Sequence, residues 1–172
     1  MKYIIYIKGQ FSTDTQIGAS SIVVMDKELT QTLYSWAKGR KCKYDPENKN
    51  RAYEQEVGCV VKAVMSVPKG STIELHSNNQ TAVKVLKGEW EAKSYTDIIN
   101  RFIEEKEKNH VDVDFRWDKK SPDDALFDMA NKLCEEVAYE VRNSGKSEVI
   151  ETENLCFQGL DSKDNDLFFK LP

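Results

Sequence analysis

The chain has 172 residues, 40% of them hydrophobic and 31% charged, with a net charge of −4. That is one domain's worth of ordinary globular composition, without an apolar run long enough to cross a bilayer, and its opening MKYIIYIKG is too short for a signal peptide's core. The acidic balance argues against a strongly basic nucleic-acid binder, and the four scattered cysteines, with no CxxC pair, argue against a zinc site or a disulfide scaffold. A cytoplasmic protein with reduced thiols is expected.

The elements follow in chain order. KYIIYIK is a near-continuous apolar run rich in β-branched and aromatic residues, as a central strand requires. GASSIVVMD and LTQTLYSWAK read as two further strands, joined through a turn at Asp26–Glu28 into an antiparallel meander. The basic cluster KGRKCK (38–43) and the stretch KYDPENKN read as solvated loop, broken by Pro46. From Glu56 to Val67 the period changes: Val57, Val60, Val61 and Val64 recur at helical spacing. TIELHS is a strand, and NNQTAVKVLKG is a short helix with capping residues at its start and Gly88 at its end. SYTDIINRFIEEKEKN forms a helix, VDVDFRW a half-buried strand, and SPDDALFDMANKLCEEVAYEV the longest helix. Trp36 and Trp117 sit on strand patterns and are expected in the core. Trp90, in KGEWEAK, is expected to cap the core, with stacking on nucleic acid as the alternative. After Asn143, SGKSE reads as a linker, so residues 1–143 are expected to form the domain and 144–172 a linker and tail.

The order β-β-β-α-β-α-α-β-α, with its local motifs, resembles the ribonuclease H family over roughly residues 1 to 143. The resemblance implies an α/β fold: a mixed five-stranded sheet, with an antiparallel meander of three strands and then two parallel strands, flanked by helices. It also implies a site of four carboxylates that hold two Mg²⁺ ions roughly 4 Å apart and cleave RNA in RNA–DNA hybrids. In that family the first strand ends in an aspartate–glycine step; here IYIKGQ keeps Gly9 and has Lys8 at the acid. Glu56, in NRAYEQEVGCVVKAV, matches the glutamate of the first helix, with Glu54 as the other register. The fourth strand ends in Thr-Asp-Ser in the family and in HSNNQ here, which puts Asn78 at the acid. The Ala-Asp-x-Leu step of the last helix is MANKLC, with Asn131. DKKSPDD lacks the family's loop histidine, and the basic insertion some members carry is absent between Gly88 and Val111.

The four matched positions therefore sum to about zero charge, so the expected reading is a catalytically inactive ribonuclease H-like module, in a mobile element, phage or replication setting, with no cofactor. Lys8 is expected to take the metal's place and pair with Glu56. The alternative is a divergent nuclease that binds Mg²⁺ or Mn²⁺ through Glu56 and the relocated acid Asp128, one turn before Asn131, with Asp123, Asp124 and Asp14 nearby in sequence. A third reading is an interaction protein that touches no nucleic acid. His76 is expected to be merely packed or half-exposed. The expected partners are nucleic acid, as hybrid or duplex, and a protein reached through the C-terminal tail; no membrane is expected. In that tail ENLCFQG (153–159) resembles a potyviral protease recognition sequence, with Cys156 in place of tyrosine. Asp166-Leu167-Phe168 partly resembles peptides that dock into bacterial sliding clamps.

Overall fold

The computed structural model describes residues 1–47, 51–119, 125–144 and 149–155. Three long strands, β1 (Lys2–Ser12), β2 (Ile17–Asp26) and β3 (Thr32–Lys41), form the expected meander, with Lys8 opposite Ser21 and Ile22 opposite Trp36. The chain then passes through α1 (Arg51–Gly58) and α2 (Val60–Met65) to β4 (Thr72–Ser77), which pairs parallel with β1. After α3 (Gln80–Leu86) and α4 (Thr96–Lys108), β5 (Asp112–Trp117) adds in parallel to β4. The long helix α5 (Ala125–Ser144) follows.

The sheet has six strands, not five, in the order β5-β4-β1-β2-β3-β6. The sixth, β6 (Ile150–Leu155), comes from the stretch read as linker and tail, and it pairs antiparallel with β3. Its sequence, IETENL, has four polar side chains in a row and apolar residues only at its two ends, so hydrophobic patterning does not reveal it. Two acids fix its register. Glu153 accepts from the Tyr34 hydroxyl at 2.5 Å, and Glu151 accepts from the Trp36 indole.

Both faces of the sheet are covered, which explains the unbroken apolar run in β1. Tyr3, Ile5 and Ile7 point into the core formed with α2, α3 and α4, and Ile4 and Tyr6 pack against Phe127 and Ala130 of α5. Ile5, Ile7 and Ile22 are fully buried, and each contributes about 1.5–3 kcal/mol. The α5 face of β2 and β3 is lined by small residues: Ala19 and Ala37 meet Cys134 and Val137. A Cβ at Gly39 would lie 3.0 Å from the Val137 carbonyl oxygen, so the helix backbone passes almost on top of the strand.

Three further expectations are corrected. The helix read from Glu56 onward begins at Arg51 and breaks at Cys59, whose N–H reaches back to the Glu56 carbonyl. Residues 38–41 of the basic cluster are strand rather than loop. Trp117 is 41% exposed, because it ends the edge strand β5, while Trp36 is buried as expected. Only a short segment links α3 to α4, in accord with the absent insertion. Among the described residues no helix is long and apolar enough to cross a membrane.

Candidate functional site

β4 ends at Ser77, one residue past the His76–Tyr6 pair, while β1 runs on to Ser12, and the crevice beyond the carboxyl end of a parallel strand is where open α/β sheets place their sites. Gly9 lets the start of the helical layer close on this point. A Cβ there would fall 2.2 Å from the Glu56 backbone nitrogen, so α1 lies against β1 at a distance only glycine permits.

That approach carries Glu56 into the interior, where it is 1% exposed. Its two oxygens are both satisfied: the Gly9 N–H donates to Oε2 at 2.6 Å and the Ser77 hydroxyl donates to Oε1 at 2.6 Å. Burial pushes its carboxyl up to about 7, against the opposing pull of the Ser77 hydrogen bond and the Lys8 charge. The Lys8 ammonium donates to Asn78 Oδ1 at 3.0 Å. The expected Lys8–Glu56 pair is therefore replaced by a different arrangement. Lys8 bonds an amide and acts on Glu56 through space, since β1 side chains alternate: Lys8 faces α5 while the adjacent Gly9 N–H takes the carboxylate.

Asn131 joins from α5, where its Oδ1 accepts from Gln10 Nε2 at 3.0 Å. One turn later the Cys134 thiol meets the Lys8 carbonyl at 3.5 Å and the Ser21 hydroxyl at 3.3 Å. Ser21 in turn donates to the Ala130 carbonyl at 2.7 Å. Asn79, beside Asn78, caps α3 by accepting from the Ala82 N–H at 3.0 Å. Lys8, Asn78, Glu56 and Asn131 are thus held in one neighbourhood by hydrogen bonds among β1, β4, α1 and α5. Asp128 stands exposed on the first turn of α5 with no bond to Glu56, and Asp14 is exposed in the β1–β2 turn. Asp123 and Asp124 lie outside the described residues.

The donor set is a poor match for Mg²⁺, which demands near-octahedral coordination by hard, anionic oxygens. Among the described residues no three His, Cys, Asp or Glu side chains are gathered as a metal cluster would need. Nucleophilic thiol chemistry is also disfavoured. Burial holds the Cys134 thiol up at about 12 and the Cys59 thiol well above its usual value.

His76 is more engaged than its sequence position suggests. Its Nε2 lies 2.8 Å from Glu74 Oε1, its Nδ1 lies 2.5 Å from Asp118 Oδ2, and its ring stacks on Tyr6 at 4.8 Å. The i, i+2 spacing of Glu74 and His76 on one strand face was the available signal; the Asp118 contact depends on the β4–β5 register, with Ser77 opposite Trp117. Lys2 bonds Glu74 at 2.7 Å and, with His76, holds that carboxyl below its usual range. Trp90 is half-exposed, beneath the Lys84 ammonium at 5.6 Å, in a cavity shared with Tyr53, Thr81 and Val85.

No protein-family profile matches this chain, and no curated protein does. Solved structures do match. The N-terminal RNase H domain of Rv2228c from Mycobacterium tuberculosis, solved as a fusion with maltose-binding protein, superposes with a TM-score of 0.62 at 12% identity, covering 84% of this chain and 99% of that one. The fold is ribonuclease H-like. At that identity the likeness establishes architecture alone. It does, however, agree with a parallel β5-β4-β1 half joined to an antiparallel half, so the site described above sits at the junction of the two halves of a ribonuclease H-like sheet.

Proposed function

We propose that this chain is a ribonuclease H-like module that has replaced a two-metal centre with a hydrogen-bonded, metal-free cluster, and that it binds nucleic acid without cleaving it. The observation that carries this reading is the Lys8–Asn78 bond at 3.0 Å beside a Glu56 whose oxygens are both occupied. A fixed ammonium about 4 Å from an incoming positive charge costs about 4 kcal/mol per unit charge at an effective dielectric of 20. A dication doubles that penalty. Amide oxygens such as those of Asn78 and Asn131 offer ligation without charge to offset it. Lys8, Asn78 and Asn131 are therefore positioning residues of a structural cluster, and Glu56 is a buried staple between β1, β4 and α1. The nucleic-acid role rests on the fold resemblance. The alternative, a nuclease that uses Glu56 with the exposed Asp128, is separated from this reading by the same cleavage experiment.

Incubation with a labelled RNA–DNA hybrid in Mg²⁺ and in Mn²⁺ tests the reading. The proposal expects no metal-dependent product, together with hybrid binding whose affinity falls with salt in proportion to the phosphates contacted. Cleavage that depends on Mn²⁺ and disappears in Glu56→Gln would overturn it.

A further inference from the structure

The opposite face of the sheet carries a second polar site. A groove of about 420 Å³ opens between β3, α1, α2 and α4. Its walls bring four cations together, Lys38 and Arg40 from β3, Lys62 from α2 and Arg101 from α4. Only two carboxylates, Glu54 and Glu151, share the groove, and Glu151 already accepts from the Trp36 indole. Among the described residues, Lys38, Lys62 and Arg101 have no carboxylate within ion-pair distance.

Several features make this more than a patch of solvated charge. Lys38 and Arg40 sit two apart on a strand, so both project to this face, while Gly39 between them meets α5. Lys62 is half-buried, with its ammonium 5.8 Å from the Trp36 ring centre and 5.9 Å from that of Tyr34. The Arg40 guanidinium donates to the Tyr95 hydroxyl at 3.2 Å. Gln55 also lines the groove. It is 5% exposed, and its Nε2 is buried with no hydrogen-bond partner among the described residues. A buried amide donor without an acceptor costs about 1–3 kcal/mol. The side chain is accommodated there because residue 18 is glycine, where a Cβ would stand 2.6 Å from the Gln55 amide carbon.

We propose that this groove is a binding site for a phosphomonoester dianion. Two surplus positive charges and the guanidinium forks of Arg40 and Arg101 match a terminal phosphate in charge and in donors. A ligand there relieves the mutual repulsion of the cations. The surrounding rings are packed against Lys62, so the recognition is of the phosphate group rather than of a stacked base. The shared chemistry could be presented by free phosphate, a nucleoside 5′-monophosphate or the 5′ end of a nucleic-acid strand. The site is independent of Lys8 and Asn78, so it stands or falls separately from the reading of the metal-free cluster.

Calorimetric titration without divalent metal tests it, using inorganic phosphate, a nucleoside 5′-monophosphate, and a short oligonucleotide with and without a 5′-phosphate. Inorganic phosphate is expected to bind the wild type, and the exposed-side double variant Lys38→Gln/Arg101→Gln is expected to weaken it by about tenfold or more. Lys69→Gln, elsewhere on the surface, should leave it unchanged. A preference for the 5′-phosphorylated over the 5′-hydroxyl strand identifies a strand end as the ligand source, and tighter binding of the mononucleotide identifies a nucleotide. Absence of phosphate binding at about 10 mM, or equal affinity in the double variant, overturns the proposal.

Discussion

The buried carboxyl of Glu56 links folding to pH. Its carboxyl rises from an ordinary 4.5 to about 7 on folding, because burial outweighs the Ser77 bond, the Lys8 charge and the Gly9 N–H. A raised carboxyl pKa means that the folded state binds the extra proton. The associated stability is present below about pH 4.5 and is lost as pH climbs through about pH 7, on the order of 3 kcal/mol in all. Glu74 and Asp26 are shifted downward and so act with the opposite sign, at more acidic pH. Urea unfolding at about pH 5 and about pH 8 should show the wild type losing stability between them, and Glu56→Gln should flatten that loss. The amide substitution retains an acceptor for Gly9, and Ser77 can turn from donor to acceptor. An unchanged pH slope in Glu56→Gln would assign the titration elsewhere. The sequence indicated which residue type stands at each of the four matched positions. It could not indicate that Lys8 would choose Asn78 over Glu56, because that choice follows from strand alternation and a backbone N–H at Gly9.

At the level of elements, two glycines of α1 and β1 make opposed predictions. Gly9→Ala forces a Cβ to within 2.2 Å of the Glu56 nitrogen, which is backbone and cannot swing aside, so the variant should lose more than about 4 kcal/mol or fail to fold. Gly58 ends α1 with nothing within 4 Å of an added Cβ and no positive φ, so Gly58→Ala should gain about 0.5–1 kcal/mol. Thermal melts of the two variants decide both. The edge strand β6 supports a third prediction. Burial and the Glu153 bond push the Tyr34 hydroxyl well above its ordinary range, and Glu153→Ala leaves that hydroxyl unpaired at a cost of about 1–3 kcal/mol by urea unfolding. A variant as stable as wild type would show that β6 merely lies along β3. The meander, the parallel strands and four of the helices were legible because their apolar residues repeat with strand or helix period. β6 was not, because its contribution is hydrogen bonding by acids to two buried aromatic side chains, which leaves no apolar signature. Cys156–Gly159 and the Asp166-Leu167-Phe168 peptide lie outside the described residues.

For the whole molecule, the two faces of one ribonuclease H-like sheet carry opposite electrostatic designs. On the α5 face Lys8 bonds Asn78 and Gln10 bonds Asn131, beside the point where β1 and β4 take the buried Glu56 of α1; on the other face cations crowd a groove with too few carboxylates to pair them. The net charge of −4 hides that division, which is why whole-chain composition argued only weakly about partners. If the groove and not the Lys8–Asn78 cluster meets nucleic acid, binding should show a shallow salt slope set by a few phosphates rather than the steep slope of a long duplex track. The central claim is that the cluster of Lys8, Glu56, Asn78 and Asn131 excludes divalent metal. Titration with Mn²⁺, followed by the loss of its free-ion paramagnetic resonance signal, measures this directly. The account predicts no specific site tighter than about 1 mM in the wild type. Two ions bound with micromolar affinity, and released by Glu56→Gln, would contradict it.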